Sequence, residues 1–296
     1  MPCPRALRAV ALSGQNYQVA ADRQGEAAPA DRPAWTREVA RLAVLTGAGI
    51  STDSGIPDFR GPSGVWTRNP AAEKLSTYQA YMADPGLRRR SWQSRLAHPA
   101  WAAEPNPAHL ALARLARSTI DTRVITQNID GLHQRAGTPP GQVIELHGAM
   151  SGVVCTGCGD RTAMADALAR VRAGESDPPC ARCGAILKSS TVMFGEALDG
   201  GVFERAEAAA AGCDLMLAIG STLSVEPAAS LCAVAAGAGA ALVIVNRDPT
   251  PRPTTGSPRP SSATRSAPPC PSWPGSCSPG QRRSSQGHAS LAASGC

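Results

Sequence analysis

Lysine is scarce in this chain of 296 residues, and long apolar runs are missing. Only Lys74 and Lys188 are lysines, so the formal net charge of +6 comes almost wholly from arginines, which are scattered except for the cluster Arg88–Arg90 and those of the tail. Because this scatter does not predict a basic face, no nucleic-acid partner is expected. No apolar run approaches the ~20 residues of a membrane span, and Ala6–Leu12 is too short for a secretory signal, so no membrane partner is expected.

The ten cysteines divide into an ordered set of four and six others without paired spacing. A reducing compartment suits the six best, and we expect the cytoplasm. The four form two Cys-x-x-Cys pairs about twenty residues apart, which matches a tetrahedral Cys₄ zinc site with no position open to water. The spacing therefore predicts a structural zinc ion bound by Cys155, Cys158, Cys180 and Cys183.

Short apolar runs alternate with helical stretches through the middle of the chain. Continuous apolar runs are typical of parallel strands covered on both faces, and Asn106-Pro107 predicts a helix start. The pattern predicts an α/β fold, with a Rossmann-like doubly wound parallel sheet, a small inserted zinc-binding module and a helical insertion. The predicted strands include 42–45, 123–126, 143–146, 214–219 and 241–245. The expected segments are a flexible extension 1–38, a catalytic domain 39–250 (Rossmann-like parts about 39–61, 101–150 and 190–250, a helical insertion about 62–100, a zinc module about 151–189), and a tail 251–296.

A glycine-containing loop follows the first predicted strand. Gly47-Ala48-Gly49-Ile50-Ser51 has two glycines that would let the backbone approach a pyrophosphate at a helix start. Thr52, however, occupies the position of the third glycine of the usual dinucleotide fingerprint. The loop alone is therefore as typical of an ordinary tight turn as of a nucleotide site. The residues that follow, Ser54–Gly61, combine glycine, proline, acid, aromatic and arginine, which favours a lid over a polar ligand.

Polar residues also follow two later strands. Gln127-Asn128-Ile129-Asp130 lies after the strand 123–126, where α/β sheets place ligand groups, so its amides and carboxylate could bind a nicotinamide nucleotide. An asparagine cap at a helix start is the structural alternative. His147 ends a strand before Gly148 and is suited to proton transfer at neutral pH, although a lone histidine is more often structural. His109 and His133 lie in helical contexts and are expected to be packing or surface residues.

Taken together, these motifs resemble those of the sirtuins, which are NAD-dependent protein deacylases. The resemblance covers about residues 41 to 250, and the motifs are specific in both content and order. They are Gly47–Ser51, Gly55–Arg60, Thr126–Asp130, His147-Gly148, the Cys₄ spacing, Phe194-Gly195-Glu196 and Asn246.

The resemblance implies an enzyme that removes acetyl or other acyl groups from protein lysines, giving nicotinamide and O-acyl-ADP-ribose. His147 would be the general base that activates a ribose hydroxyl, and Asn128 and Asp130 would complete the catalytic set. NAD and a structural Zn²⁺ would be the cofactors, and acyl-lysine proteins the partners. The implied NAD contacts are Gly47, Ala48, Gly49, Ser51, Asp58, Phe59, Arg60, Gln127, Asn128, Ile129, Asp130, Gly220, Ser221, Thr222, Asn246, Arg247 and Asp248; the implied substrate contacts include Val192, Phe194, Gly195 and Glu196.

Two positions depart from the family pattern. Ser221-Thr222 reverses the usual order of the two hydroxyl residues after Gly220, and both hydroxyls remain. Family members that remove acidic acyl groups carry Tyr-x-x-Arg where this chain has Trp92-Gln93-Ser94-Arg95. Trp92 and Arg95 are therefore expected to flank the acyl group. Without the tyrosine hydroxyl a succinyl or malonyl preference is not expected, and the acyl preference stays open.

The composition changes abruptly after Pro251 to Pro, Ser, Arg, Gly and Cys. A shifted reading of the codons for residues 254–273 permits a string that looks like the missing end of a sirtuin. We therefore interpret the tail as the product of a frameshift near codon 252, with a disordered tail as the alternative. Two other functions stay open: mono-ADP-ribosyl transfer, and an inactive, zinc-stabilised NAD-binding protein.

Overall fold

A parallel sheet of six strands organises the protein in the computed structural model, which describes residues 10–12, 39–62, 64–70, 73 and 77–247. The strands, with those of a second, smaller sheet, are β1 (Val10–Leu12), β2 (Arg41–Thr46), β3 (Asp121–Thr126), β4 (Val143–Glu145), β5 (Gly152–Cys155), β6 (Arg161–Ala163), β7 (Leu187–Ser189), β8 (Leu215–Ile219) and β9 (Ala241–Val245). The order across the large sheet is β1-β9-β8-β2-β3-β4. The predicted Rossmann-like parallel sheet is confirmed. The edge strand β1 lies within the segment expected to be a flexible extension, and the tail 251–296 lies outside the described residues.

The helices follow the predicted alternation. They are α1 (Val65–Arg68), α2 (Tyr78–Ala83), α3 (Pro85–Leu96), α4 (Pro107–Ala116), α5 (Leu132–Arg135), α6 (Met164–Arg172), α7 (Gly200–Gly212) and α8 (Ser230–Gly237), with a 3₁₀ turn at Ala48–Ser54. The predicted start of α4 is confirmed, because the Asn106 side chain accepts from the N–H groups of Ala108 and His109. Pro107 occupies the first turn, where its lack of an N–H costs the helix no hydrogen bond.

The central strands are buried on both faces, which explains why their sequences read as continuous apolar runs. Ala43, Leu45 and Met216 pack into a core cluster that includes residues of α7 and α8. Leu42 and Val44 face the opposite layer, where Leu112 of α4 packs. After β2 the chain continues to β3 on one side of β2, and after β8 it continues to β9 on the far side of β8. It therefore leaves the neighbouring ends of β2 and β8 in opposite directions. This arrangement opens a crevice at the carboxyl ends of the strands.

The two insertions pack against each other. The zinc segment forms the antiparallel sheet β6-β5-β7 with α6. From the helical insertion, Tyr81 donates its hydroxyl proton to the Leu187 carbonyl (2.8 Å), and Arg88 forms an ion pair with Asp177 (2.8 Å). Trp92 is 1% exposed and belongs to the core of the zinc segment. The expectation that Trp92 flanks the acyl group is therefore wrong: its ring faces the zinc segment and holds α3 against it.

Candidate active site

A cleft of about 1360 Å³ runs along the carboxyl ends of the sheet strands and is lined by the Rossmann-like part and the helical insertion. It brings together nearly all of the residues expected to bind cofactor or substrate. Those that line it are Gly47, Ala48, Gly49, Ser51, Asp58, Phe59, Arg60, Arg95, Gln127, Asn128, Ile129, Asp130, His147, Val192, Phe194, Gly195, Glu196, Gly220, Ser221, Thr222, Asn246 and Arg247. Asp248 lies outside the described residues.

The ends of β2 and β8 meet at this cleft through backbone alone. Gly49 donates its N–H to the Gly220 carbonyl (2.8 Å), and a Cβ built on Gly49 would lie 2.8 Å from the Gly220 Cα. A Cβ on Gly47 would lie 2.7 Å from the same carbonyl oxygen. Glycine is therefore needed at both positions for a second reason, besides the predicted approach of a pyrophosphate. It lets the two loops touch each other, and this contact shapes the floor of the cleft.

His147 is held by a single hydrogen bond that determines its chemistry. Its Nδ1 lies 2.9 Å from the Gln127 carbonyl oxygen, which can only accept, so Nδ1 carries the proton and Nε2 keeps a lone pair. Burial lowers the pKa of His147 below its ordinary value, and the bond to Gln127 opposes this shift only in part. His147 is therefore a neutral base at pH 7.

Asn128, Ser51 and Asp130 form one hydrogen-bonded set. The Asn128 Nδ2 donates to the Gly47 carbonyl and to the Ser51 hydroxyl, each at 3.1 Å. Ser51 in turn donates to the Asp130 carboxylate (2.8 Å), which also accepts the Leu132 N–H (2.9 Å). Because both amide protons of Asn128 are used, its Oδ1 is the atom available to a bound molecule.

The lid predicted from Ser54–Gly61 carries an aromatic contact that the sequence did not reveal. The Phe59 ring lies 4.6 Å from that of Trp66 in α1, and Trp66 lies 5.4 Å from Phe194 (centroid distances). The Arg60 guanidinium lies over Trp66 at 4.6 Å. These rings join the lid, the helical insertion and the loop at 191–196 on one side of the cleft. No periodicity in the sequence could have indicated Trp66.

Helix α3 contributes cleft residues that sequence reasoning missed. Ser91 and Ser94 line the cleft beside Arg95, and His98, two residues beyond the end of the helix, lines it too. The available signal was the spacing of three to four residues, which places Ser91, Ser94 and Arg95 on one helical face. Burial lowers the pKa of the Arg95 guanidinium, and no carboxylate lies within ion-pair distance of it in the part of the chain that the structure describes.

The four predicted zinc ligands converge at the far end of the zinc segment. Their sulfur atoms lie within 4.8 Å of one another, with Cys155 and Cys183 at 3.4 Å and Cys158 and Cys180 at 3.8 Å. Tetrahedral zinc with Zn–S bonds of about 2.3 Å requires sulfur separations of about 3.8 Å, so the set fits the ion. Hydrogen bonds from the N–H groups of Cys158 and Gly157 lower the pKa of Cys155, while the neighbouring thiols raise that of Cys158, so Cys155 is the first of the two to ionise.

Comparison with known proteins agrees with this geometry. The family model described as the Sir2 family matches residues 47–227. The NAD-dependent protein deacetylase 2 of Streptomyces coelicolor is 57% identical over 71% of this chain and 87% of that protein. The NAD-dependent protein deacylase of Thermus thermophilus is 42% identical over 72% of this chain and 82% of that protein.

Two solved structures show the same fold. A complex described as Sir2 with a p53 peptide and NAD⁺ aligns with a TM-score of 0.66 at 36% identity, covering 73% of this chain and 85% of that one. Sir2Tm bound to a propionylated peptide aligns with a TM-score of 0.64 at 35% identity, covering 72% and 84%. The predicted family is therefore confirmed, and this chain belongs to the Sir2 family.

Proposed function

We propose that this protein removes acetyl or related acyl groups from protein lysines in a reaction that consumes NAD and gives nicotinamide and O-acyl-ADP-ribose. The observation that carries this proposal is the position of His147, a neutral base that lines the same cleft as Asn128 and the Gly47–Ser51 loop. The similar proteins named as deacetylase and deacylase support the same reaction.

The residues of the cleft fit NAD. The Gly47–Ser51 loop lines the cleft, and we place the pyrophosphate there, where Asn128 and Asp130 are held rigidly by their hydrogen bonds. When bound, NAD supplies the ribose carbon whose bond to nicotinamide breaks and which takes up the acyl oxygen. Ser221 and Asn246 also line the cleft, and we place the adenosine beside them.

In this scheme Asn128 and Asp130 orient the nicotinamide end, since the network through Ser51 fixes both side chains. His147 accepts the proton of a ribose hydroxyl on Nε2, and the Gln127 carbonyl stabilises the imidazolium that results. The aromatic rings of Phe59 and Trp66 cover one side of the cleft and help to exclude water until the first bond is broken.

The acyl-lysine is proposed to enter beside the loop at 191–196. Val192 donates its N–H to the His147 carbonyl (2.9 Å), so this loop is attached directly to the catalytic strand end. A peptide can add there as an extended strand, with Phe194 and Gly195 beside the acyl chain. Arg95, which has no acidic partner among the described residues, is available to a polar acyl group, while the buried Trp92 contributes nothing to acyl choice.

The zinc ion, held by four sulfur ligands with no open position, would have a structural role. It would fix the wall of the cleft that α2 and α3 build on the zinc segment. A set of four reduced thiols also supports our proposal of a reducing compartment, namely the cytoplasm. In the part of the chain that the structure describes, no helix has the length and apolar character that crossing a membrane requires.

Mass spectrometry of an acetyl-lysine peptide incubated with the zinc-loaded protein and NAD tests the proposal. Loss of the acetyl mass, with nicotinamide and O-acetyl-ADP-ribose appearing in equal amounts, is the expected result. A gain of the ADP-ribose mass would instead indicate mono-ADP-ribosyl transfer. An unchanged peptide in the presence of bound NAD would indicate an inactive NAD-binding protein, and either of these outcomes contradicts the proposal. A panel of acyl peptides then determines the preferred acyl group.

A further inference from the structure

Two histidines that do not line the cleft are buried side by side behind it. His109 in α4 and His133 in α5 are 0% and 1% exposed, and their ring centroids lie 5.0 Å apart. Burial lowers the pKa of both rings, so both are neutral at pH 7. A neutral imidazole has one donor nitrogen and one acceptor nitrogen, and the surrounding hydrogen bonds decide which is which.

The tautomer of His109 follows from the helix cap. The Asn106 N–H donates to His109 Nδ1 (3.4 Å), so the proton of the neutral ring must be on Nε2. That nitrogen is buried and has no hydrogen-bond partner among the described residues. His109 therefore presents a buried donor whose bond is unmade.

The tautomer of His133 follows from a threonine pair. The Thr46 hydroxyl donates to Thr126 Oγ1 (2.9 Å) and lies 3.0 Å from His133 Nε2. Because a hydroxyl has a single proton, Thr46 must accept from Nε2–H. This leaves His133 Nδ1 as a lone-pair acceptor, and Nδ1 is the buried atom of this ring without a partner in the described part of the chain. The unmade donor of His109 and the unmade acceptor of His133 are thus complementary, in neighbouring rings.

The chain of hydrogen bonds ends at the active site. Thr46 and Thr126 are register partners at the carboxyl ends of β2 and β3. Thr126 Oγ1 also accepts the backbone N–H of Asn128 (3.0 Å). The backbone of Asn128 is thereby fixed from behind by the threonine pair, while its side chain is fixed from the front by Gly47 and Ser51.

We propose that His133, acting through Thr46 and Thr126, is a positioning residue for Asn128. The donor direction is the same from His133 Nε2 through Thr46 to Thr126, so each bond polarises the next. Rotation of the His133 ring, or a shift of its proton from Nε2 to Nδ1, would remove the donor to Thr46 and loosen the Asn128 backbone. The proposal rests on the proposed deacylase function, because it concerns the catalytic placement of Asn128.

Variants of the chain test this role in the zinc-loaded protein. His133→Phe keeps an aromatic ring but removes the donor, and Thr46→Val removes the hydroxyl at nearly constant volume. We expect each to lower kcat for acyl-peptide turnover about tenfold while KM for the peptide changes less than about twofold, since a misplaced catalytic group costs rate. His133→Gln, whose amide can donate to Thr46, should recover most of kcat. The double variant His133→Phe with Thr46→Val should be no slower than the slower single variant, because both break one chain.

Thr138→Val is the matched control. Thr138 is also buried and its hydroxyl has no partner among the described residues, so the same deletion there should leave kcat unchanged. A folded His133→Phe variant with full kcat overturns the proposal. So does a His133→Gln variant that is as slow as His133→Phe, or a double variant whose losses multiply.

Nuclear magnetic resonance of the wild-type protein tests the tautomers without any substitution. With ¹⁵N-labelled histidine, long-range ¹H–¹⁵N spectra near pH 7 should show His133 protonated on Nε2 and bare on Nδ1. The opposite tautomer overturns the proposal even if every variant fails to fold. A wild-type protein that does not deacylate would instead contradict the proposed function, so the two failures can be told apart.

Discussion

Lys188, which is buried, and Glu196, which is half-buried, form an ion pair with 3.1 Å between Nζ and Oε2, at the base of the loop that flanks the cleft. The Lys188 ammonium also donates to the carbonyls of Ser189 (3.2 Å) and Thr191 (3.0 Å). The Glu196 carboxylate accepts the Met193 N–H (2.8 Å). All three ammonium protons are thus used, and the two ends of the loop are held together.

Lys188→Met should therefore weaken both folding and peptide binding. It leaves Glu196 partly buried without its cation, so we expect the free energy of unfolding to fall by about 2 kcal/mol. KM for the acyl peptide should rise about fivefold or more, because the loop loses its fixed shape. Urea unfolding and steady-state kinetics measure these changes.

Glu196→Gln is the milder comparison, since its amide oxygen can still accept from Met193. We expect its KM to lie between those of the wild type and Lys188→Met. Equal KM values in all three proteins would show that the ion pair does not shape the substrate loop.

The sequence predicted the sheet well because parallel strands buried on both faces read as continuous apolar runs. Runs such as Leu42–Leu45 and Ala241–Val245 are apolar on both faces. In the structure, successive side chains of each run alternate between the two core layers on either side of the sheet. The start of α4 was equally readable, since an asparagine cap followed by proline acts locally. Both features depend on residues close together in the chain.

Trp92 shows where such reasoning fails. Trp92 and Arg95 are three residues apart on α3, and the helix lies between the cleft and the zinc segment. Arg95 lines the cleft, whereas Trp92 is buried in the core of the zinc segment. Which of two neighbouring helical faces meets which partner is decided by packing and not by spacing. The Lys188–Glu196 pair and the Phe59–Trp66 contact were likewise invisible, because each is closed by an irregular loop whose course no periodic pattern indicates.

Gly49→Ala should disrupt the meeting of the two loops. The new methyl group would lie 2.8 Å from the Gly220 Cα and 2.8 Å from its oxygen, so the loops must separate. We expect the affinity for NAD to fall about tenfold or more, with a free energy of unfolding lower by about 1–3 kcal/mol. Calorimetric titration with NAD and urea unfolding give both values.

Gly141→Ala provides the comparison, because Gly141 is exposed and a Cβ there meets nothing within 4 Å. It should bind NAD as the wild type does. If Gly49→Ala also bound NAD normally, the contact between the loops would not shape the nucleotide site.

The rate should depend on pH through His147. The reaction needs the neutral imidazole, and burial lowers the pKa of His147 below its ordinary value of 6.5. kcat/KM should therefore be constant above pH 6.5 and fall as the pH drops through the lowered pKa, because protonation removes the base. His147→Gln should lower kcat by a factor of about 10² to 10⁴ and remove this acidic limb from any residual rate. An inflection well above pH 7 would argue against His147 as the base.

Removal of zinc should damage the cleft at a distance. Without the cation, four thiols crowd within 4.8 Å, and the zinc segment loses the constraint that supports Trp92 and Tyr81. We expect a chelator to abolish turnover, lower the thermal midpoint and shift tryptophan fluorescence to longer wavelength. One equivalent of zinc should restore all three, and magnesium should restore none. Full activity in protein shown by metal analysis to be zinc-free would refute the structural role.

The buried histidine pair should make folding sensitive to acid. Burial lowers the pKa of His133 to about 3 from its ordinary 6.5, and that of His109 also falls. Below pH 6.5 the unfolded chain takes up a proton at each ring while the native protein does not. The free energy of unfolding is therefore unaffected above pH 6.5, and falls by about 1.4 kcal/mol per pH unit for each such ring as the pH drops toward the native pKa.

His133→Gln removes one of these rings, so its stability should fall less steeply than that of the wild type between pH 6 and pH 4.5. Urea unfolding at several pH values gives both slopes, and carboxylates contribute equally to each protein, so the difference isolates His133. Identical slopes would mean that His133 is protonated in the native state. Such a result would also place a proton on His133 Nδ1, where the hydrogen bonds of the neutral ring leave a lone pair.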